Sequence, residues 1–316
     1  MFSAALFGLI TAIEKRIIDH HLPNLGVYYA SISFSLLIPA VIVFLATGVP
    51  DETSTYSLVM ATLSGSTWGV GLALVFWGYK LEEASRASAI VHTFPVFVAI
   101  VAVFWLDETL VPGQWAAIIV IVTGAFVISI RRSDGRAIIR FSRAFPILIC
   151  ASMLTALSHL FAKAALDDGL TVWMTYSIRA AAMAVAFAFL AKPAAFLELL
   201  QVLRNWRTLA LMLIADFLLA PVASISLTRA TGLGAISLVA AFAATRPFFV
   251  FMVSSLFSID RIKLLNEPLE RDTLSLKVIA LVMIVGGIAA LSLLKTATGL
   301  GLNCRRGRVF GGWMKL

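Results

Sequence analysis

Charged residues are scarce in this chain, and cysteine is scarcer still. Asp, Glu, Lys and Arg make up 13% of its 316 residues, and only two cysteines occur. A soluble domain is about one quarter charged, so this composition excludes a water-soluble protein. Cys150 and Cys304 are too few to form a disulfide framework.

The chain also lacks the motifs of catalysis. Its sequence contains no cluster of metal ligands, no nucleophile beside its base and no glycine-rich phosphate loop. We therefore expect no enzymatic activity, no metal, no cofactor and no ATP-driven pumping.

Long apolar runs fill the sequence instead. Hydrophobic residues make up 60% of the chain, and a membrane-spanning helix needs about 20 of them in succession. The runs are continuous, which favours helices over the alternating strands of a β-barrel. They cover residues 2–18, 26–48, 57–77, 85–106, 114–130, 144–166, 171–191, 207–227, 234–257 and 274–294. The predicted fold is an all-α integral membrane protein with ten transmembrane helices.

Basic residues are concentrated in the connections between these runs, and five arginines lie within 131–143. The positive-inside rule places such a loop in the cytoplasm, which puts both chain termini outside. We expect a multi-pass protein in the plasma membrane of a prokaryote. The net charge of +8 follows from this topology, so we expect no nucleic-acid partner.

A short phrase occurs twice in the chain. Thr93-Phe94-Pro95-Val96-Phe97 returns as Thr245-Arg246-Pro247-Phe248-Phe249, and Ala117 further on is matched by Ala280. Each half holds five of the predicted spans, so the halves enter the membrane in opposite senses. This organisation is the inverted repeat of many secondary transporters.

The duplication divides the chain into four parts. We predict a first five-helix repeat over 1–131, a basic linker over 132–143, a second repeat over 144–296 and a basic tail over 297–316. In addition, residues 192–207 are predicted to include a short helix lying at the membrane interface.

Several positions follow a family pattern. They are the segment 79–90, Pro95, the segment 106–110, Ala117 and Gly124 in the first half, and Pro247, Glu267 and Gly287 in the second. This pattern resembles the EamA-like repeat of the drug/metabolite transporter superfamily. The resemblance implies a ten-helix transporter of metabolites such as amino acids, nucleotides or sugar phosphates. It also implies that both termini are cytoplasmic, opposite to the orientation that the loop charges predict.

Ionisable residues deep in a span cost a few kcal/mol each, so those present need a reason. His92, Arg179, Asp216 and Arg246 stand near the centres of their spans. We expect Arg179 and Arg246 to bind an anionic group, although Asp216 could instead pair with one of them. Arg246 is favoured because it precedes Pro247, whose missing N–H loosens the helix.

Further candidates follow from residue type. His92, His159 and Asp216 could relay a coupling proton, or the histidines could simply hydrogen-bond between helices. Trp68 and Tyr176 lie deep in their spans and are expected to line a cavity.

Two other features receive structural interpretations. Glu14 and Lys15 are predicted to mark the end of the first span rather than a site. Gly65 and Gly69, four residues apart, predict close helix packing.

Together these features predict a secondary transporter that exports or exchanges a small organic metabolite bearing an anionic group. The substrate would bind between the halves while two spans bend at Pro95 and Pro247. Its partners would be that substrate, a coupling proton or counter-substrate, and the lipid bilayer; the oligomeric state is left open. A channel, or a non-transporting membrane protein of the same architecture, is the alternative.

Overall fold

The computed structural model describes most of the chain. The described residues are 1–48, 53–82, 87, 90–106, 110–128, 131–133, 136–138, 144–257, 279, 280, 282, 283, 286, 287, 290 and 294. Glu267, the tail 297–316 and most of the tenth apolar run lie outside them.

The described elements are helices joined by short connections. They are α1 (Phe2–Arg16), α2 (Leu25–Thr47), α3 (Thr55–Leu81), α4 (Phe94–Trp105), α5 (Pro112–Ile128), α6 (Ala144–Asp167), α7 (Val172–Leu190), α8 (Pro193–Val202), α9 (Trp206–Leu233), α10 (Ile236–Ala243) and α11 (Arg246–Phe257). Two π-helical segments also occur, Ile17–His21 directly after α1 and Leu213–Leu219 within α9. The exception to this helical fold is an antiparallel hairpin in the linker, with β1 (Arg131–Ser133) paired to β2 (Arg136–Ile138).

Five of these helices, α2, α3, α6, α7 and α9, are long and apolar enough to cross a membrane. The shorter α4, α5, α8, α10 and α11 are also apolar. The helical membrane fold is thus confirmed, while the count of ten spans stays a prediction. A helix within 192–207 is confirmed as α8, and its place at the membrane interface stays a prediction.

Polar side chains fix where several helices begin. The Asn24 side chain accepts a hydrogen bond from the Val27 N–H at 3.0 Å, and Ser54 accepts one from the Tyr56 N–H at 3.1 Å. Such caps satisfy backbone donors that a helix start leaves free. Gly48 ends α2 with a φ of +64°, a conformation that glycine adopts without strain.

The fourth and ninth apolar runs are not single helices. In the ninth, α10 ends at Ala243 and α11 begins at Arg246, with a turn at residues 244–245. In the fourth, a turn at residues 92–93 precedes α4, which begins at Phe94. At the predicted bends the structure has interruptions, and in each case the new helix begins one residue before the proline.

Helices of one half pack mainly on helices of the other. α2 packs on α7, and α3 packs on both α6 and α7. α1 packs on α9 and α11, while α4 packs on α6 and α10. The core is therefore built between the two halves of the chain.

Glycines permit the closest of these approaches. A Cβ atom added to Gly65 of α3 would lie 2.3 Å from the backbone oxygen of Arg179 and 2.7 Å from Ala182 Cβ on α7. A Cβ atom at Gly69 would lie 2.9 Å from Ala186 Cβ. The predicted close packing at this glycine pair is confirmed.

Candidate functional site

A central cavity lies where α1, α2, α3, α6 and α9 meet the two interrupted helices. The cavity volume is about 70 Å³, counted as the space that the centres of water molecules can occupy. One water needs roughly 10–15 Å³ of such space, so the cavity holds several. Its polar lining includes Thr11, Glu14, Ser35, Tyr79, His92, Thr155, His159, Asp216, Ser224 and Arg246. Its aromatic lining includes Phe7, Trp68 and Phe94. The cavity thus combines apolar walls with a few convergent polar groups, as small-molecule sites do.

Matching turns bring the first residues of α4 and α11 to this cavity. Thr93 Oγ1 donates to the carbonyl oxygen of Ile90 at 2.8 Å, and Thr245 Oγ1 donates to that of Phe242 at 2.9 Å. In each turn the threonine carbonyl also accepts from the N–H three residues later, at 3.2 Å and 3.0 Å. Each of these carbonyl oxygens also accepts from the backbone N–H of the same threonine, at 3.2 Å in both turns, so the hydroxyl adds a second hydrogen bond that stabilises the turn.

Arg246 opens α11 at the edge of the cavity. Its guanidinium carbon lies 4.0 Å from the ring centroid of Phe7 on α1, a cation–π contact. Its buried Nε has no hydrogen-bond partner. Among the described residues, the ion pairs join Lys15 to Asp19 and Lys163 to Asp167, so Arg246 makes no direct ion pair with a described carboxylate. Glu14 is near enough to attract the guanidinium electrostatically, and both groups line the cavity.

Two carboxyl groups, those of Glu14 and Asp216, face the same cavity. Glu14 is 8% exposed and Asp216 is 4% exposed. Asp216 Oδ2 and the nearby Tyr28 hydroxyl are buried without hydrogen-bond partners among the described residues. Neither carboxyl group belongs to an ion pair in the described part of the chain. The cavity therefore holds acidic groups and a guanidinium that do not neutralise each other by contact.

Glu14 lies near the end of α1, as predicted, since this α-helix ends at Arg16. The structure adds that Glu14 also lines the cavity. A signal was present, because Phe7, Thr11 and Glu14 have the spacing of one helix face, and all three line the cavity.

Asp216 lies inside the π-helical segment of α9. Such segments are rare and occur often at functional sites. Here the segment belongs to the stretch of α9 that meets α1 and α2, and Asp216 lines the cavity they enclose.

The two histidines lie on either side of Phe94. The His159 ring stacks on Phe94 with centroids 5.2 Å apart and also approaches Trp68 at 5.9 Å. The His92 ring lies 5.9 Å from Phe94, edge to face. Both histidines line the cavity, and their coupling role stays a prediction.

Arg179 and Tyr176 are not among the lining residues of this cavity. Arg179 is 3% exposed and donates to Thr228 Oγ1 at 3.3 Å and to Ser158 Oγ at 3.2 Å. Its guanidinium carbon lies 4.5 Å from the Trp68 ring. Arg179 thus supports Trp68, which itself lines the cavity, through bonds to neighbouring helices.

Tyr176 packs in a separate apolar cluster with Ala40 and Ala180. Pro95 lines neither the cavity nor that cluster; it is a buried residue in the first turn of α4. Pro247 is the second residue of α11. The sequence-predicted site residues that meet at the cavity are Trp68, His92, His159, Asp216 and Arg246.

Residues 1–130 match the model of the EamA-like transporter family. This segment of the chain is therefore similar to that family, and the long apolar helices indicate an integral multi-pass membrane protein.

A solved crystal structure resembles the chain over nearly its whole length. The two share 16% sequence identity and a TM-score of 0.60, over 92% of this chain and 99% of that one. At this identity the likeness shows the fold alone. No curated protein matches the chain.

Proposed function

We propose that this protein is a secondary transporter that exports or exchanges a small organic metabolite bearing an anionic group. The observation that carries the proposal is Arg246, which faces the central cavity without a described carboxylate partner. A cation inside a membrane protein is costly unless something compensates it. A guanidinium binds carboxylate and phosphate groups with two parallel hydrogen bonds.

Alternating access between two repeats would move this substrate. We assign the repeats to 1–131 and 144–296, with 132–143 as the linker. The family match ends at residue 130, and the hydrogen bonds of the proline turns recur in both parts. An ion pair also recurs, since Lys15 Nζ lies 3.0 Å from Asp19 Oδ2 and Lys163 Nζ lies 2.6 Å from Asp167 Oδ1. These recurrences support a duplicated carrier.

The acidic pair of the cavity supplies a coupling site in this scheme. Two carboxylates in one poorly solvated cavity repel each other, so one of them holds a proton. Glu14 and Asp216 are these groups, and the charged or titratable groups around them include Tyr28, Tyr79 and Arg246. Proton release to one side of the membrane would then accompany substrate binding from the other.

Reconstituted protein tests the proposal directly. Proteoliposomes would be offered labelled organic acids, amino acids and sugar phosphates, and counterflow would be measured. We expect saturable counterflow of at least one anionic compound, which a channel does not produce. Arg246→Gln should slow it by about 10- to 100-fold, while Arg229→Gln, which changes an exposed arginine of α9, should leave it unchanged. Full transport by Arg246→Gln would exclude this residue as the anion site.

A further inference from the structure

A second pocket lies beside the central cavity, between the start of α1, α9 and α10. Its volume open to water centres is about 120 Å³. Its walls are mostly apolar and include Leu227, Val239 and Phe242, with Ser3 as a polar exception. We call it the outer pocket.

The outer pocket and the central cavity share one wall. Phe7, Ala243 and Arg246 line both of them. Arg246 stacks on Phe7 at 4.0 Å, so this cation–π pair, together with Ala243, forms the wall that the two spaces share.

The backbones around this wall are held firmly. Ser3 Oγ donates to the carbonyl oxygen of Ala223 at 2.9 Å, which ties the start of α1 to α9. A Cβ atom added to Gly8 would lie 2.5 Å from Phe249 Cβ, so α1 and α11 are already in close contact. A change at this wall can therefore begin with the Phe7 and Arg246 side chains, before the helix movements of alternating access.

Arg246 Nε makes no hydrogen bond within the described part of the chain, so no directional bond at that atom opposes rotation of the guanidinium. An anion in the outer pocket could bind the guanidinium and then pass inward while keeping the same charge contact. The apolar walls would accept the uncharged part of such a ligand.

We propose that the outer pocket is a second binding site for an organic anion with an apolar body, and that the Phe7–Arg246 pair is the gate between it and the central cavity. This inference rests on the proposed transport function. The pocket supplies apolar contact on the way in, and the gate opens when the anion replaces the Phe7 ring at the guanidinium.

Cysteine labelling of the purified full-length protein tests both parts without a known substrate. In a Cys150→Ser, Cys304→Ser background, Val239→Cys reports on the outer pocket and Ser224→Cys on the central cavity. An anionic methanethiosulfonate should label Val239→Cys faster than a cationic one. Arg246→Gln should reduce that preference by about tenfold, the scale of local electrostatic rate effects.

The gate is tested with the same reagents. Phe7→Ala should accelerate labelling of Ser224→Cys by about tenfold, since it removes a desolvated cation–π contact, and Phe7→Tyr should not. Ser152→Cys reports general loosening, because Ser152 is fully buried and lines neither space. Unchanged Ser224→Cys labelling, an equal rise at Ser152→Cys, or no anion preference at Val239→Cys would overturn the proposal.

The transport assay separates this inference from the function beneath it. Transport that persists while labelling ignores Phe7→Ala would reject the gate and leave the carrier standing. Gated labelling without counterflow of any anion would reject the carrier alone.

Discussion

The two proline turns of this protein share their backbone and differ in their chemistry. Both place a threonine hydroxyl on the carbonyl oxygen three residues earlier. The next residue is Phe94 in one turn and Arg246 in the other. Phe94 stacks on His159 of α6, whereas Arg246 stacks on Phe7 of α1. Two turns of similar backbone thus present an aromatic ring and a cation to the same cavity.

A second contrast separates α3 from α9. α3 runs without interruption from Thr55 to Leu81 and is pressed against α7 through glycines. α9 contains a π-helical segment that carries Asp216. Close packing holds α3 in place against α7, while the irregular backbone of α9 brings the Asp216 carboxyl group to the cavity.

The largest effect on stability should come from adding volume to α3 at Gly65. Gly65→Ala would place a methyl group 2.3 Å from the Arg179 carbonyl oxygen, so we expect a loss of about 3 kcal/mol or more in stability. Gly232→Ala in α9 is the control, because its nearest neighbour is Leu166 Cδ1 at 3.8 Å. Thermal unfolding in detergent measures both. Equal melting temperatures for the two variants would contradict the assigned role of α3.

The second-largest effect should come from substituting the residue that follows the threonine in each turn, Phe94 or Arg246. We expect Arg246→Gln to reduce the transport rate by about 10- to 100-fold, since a bond to a charged group contributes about 1.5–3 kcal/mol. Phe94→Leu preserves an apolar wall and should change the rate by less than about threefold, within the usual cost of an apolar exchange. Initial rates in proteoliposomes give the comparison. Equal losses would mean that the two turns contribute alike to binding.

The acidic pair offers a test of intermediate size. A gradient of one pH unit is worth about 1.4 kcal/mol for each coupled proton, or about a tenfold accumulation of substrate. Glu14→Gln and Asp216→Asn should each remove this response, because a neutral amide cannot exchange the proton. Substrate accumulation under an imposed gradient measures it. Glu198→Gln is the control, since Glu198 lies outside the cavity; a gradient response that survives in both cavity variants would place the coupling elsewhere.

The smallest expected effect is the loss of stability when the threonine hydroxyl is removed from either turn. Thr245→Val removes one hydrogen bond, to Phe242, and should cost about 1 kcal/mol. Thr93→Val removes a bond to Ile90 and also the contact between Thr93 Oγ1 and Ser152 Oγ at 3.1 Å, so it should cost more, about 2 kcal/mol. Melting temperatures in detergent rank the two. Thr123→Val serves as the control, because this exposed hydroxyl bonds within its own helix. The reverse order would mean that the Ser152 contact adds nothing.

The positions of the apolar helices along the chain were predictable from this sequence, but the direction of a side chain around its helix was not. Arg179 and Arg246 both stand at mid-span, yet only Arg246 lines the cavity. Arg179 lies on a helix that is apolar on most sides, so no polar stripe indicates which face points inward. Its hydrogen bonds to Ser158 and Thr228 depend on other helices, and local sequence does not encode them.

The interruptions of the helices show the same limit. The repeated proline phrase located both broken spans, because proline and threonine act on the nearest turn of backbone. The π segments have no such marker in the sequence, and they set the directions of Asp216 and of the chain after Glu14. The sequence predicts Glu14 as the end of a span, and its place in the cavity lining depends on helices distant in the chain. In the fold, Lys15 donates to the Tyr79 carbonyl oxygen at the end of α3.

The crosswise packing of the halves has a consequence for biosynthesis. α2 and α3 find their main partners in α6 and α7, which the ribosome makes only after the basic linker. Until then α2 and α3 lack their main packing partners, including the surface of α7 that Gly65 and Gly69 of α3 contact. Assembly of the bundle therefore requires the second half of the chain. We expect a polypeptide truncated at the linker to remain unfolded and to be degraded.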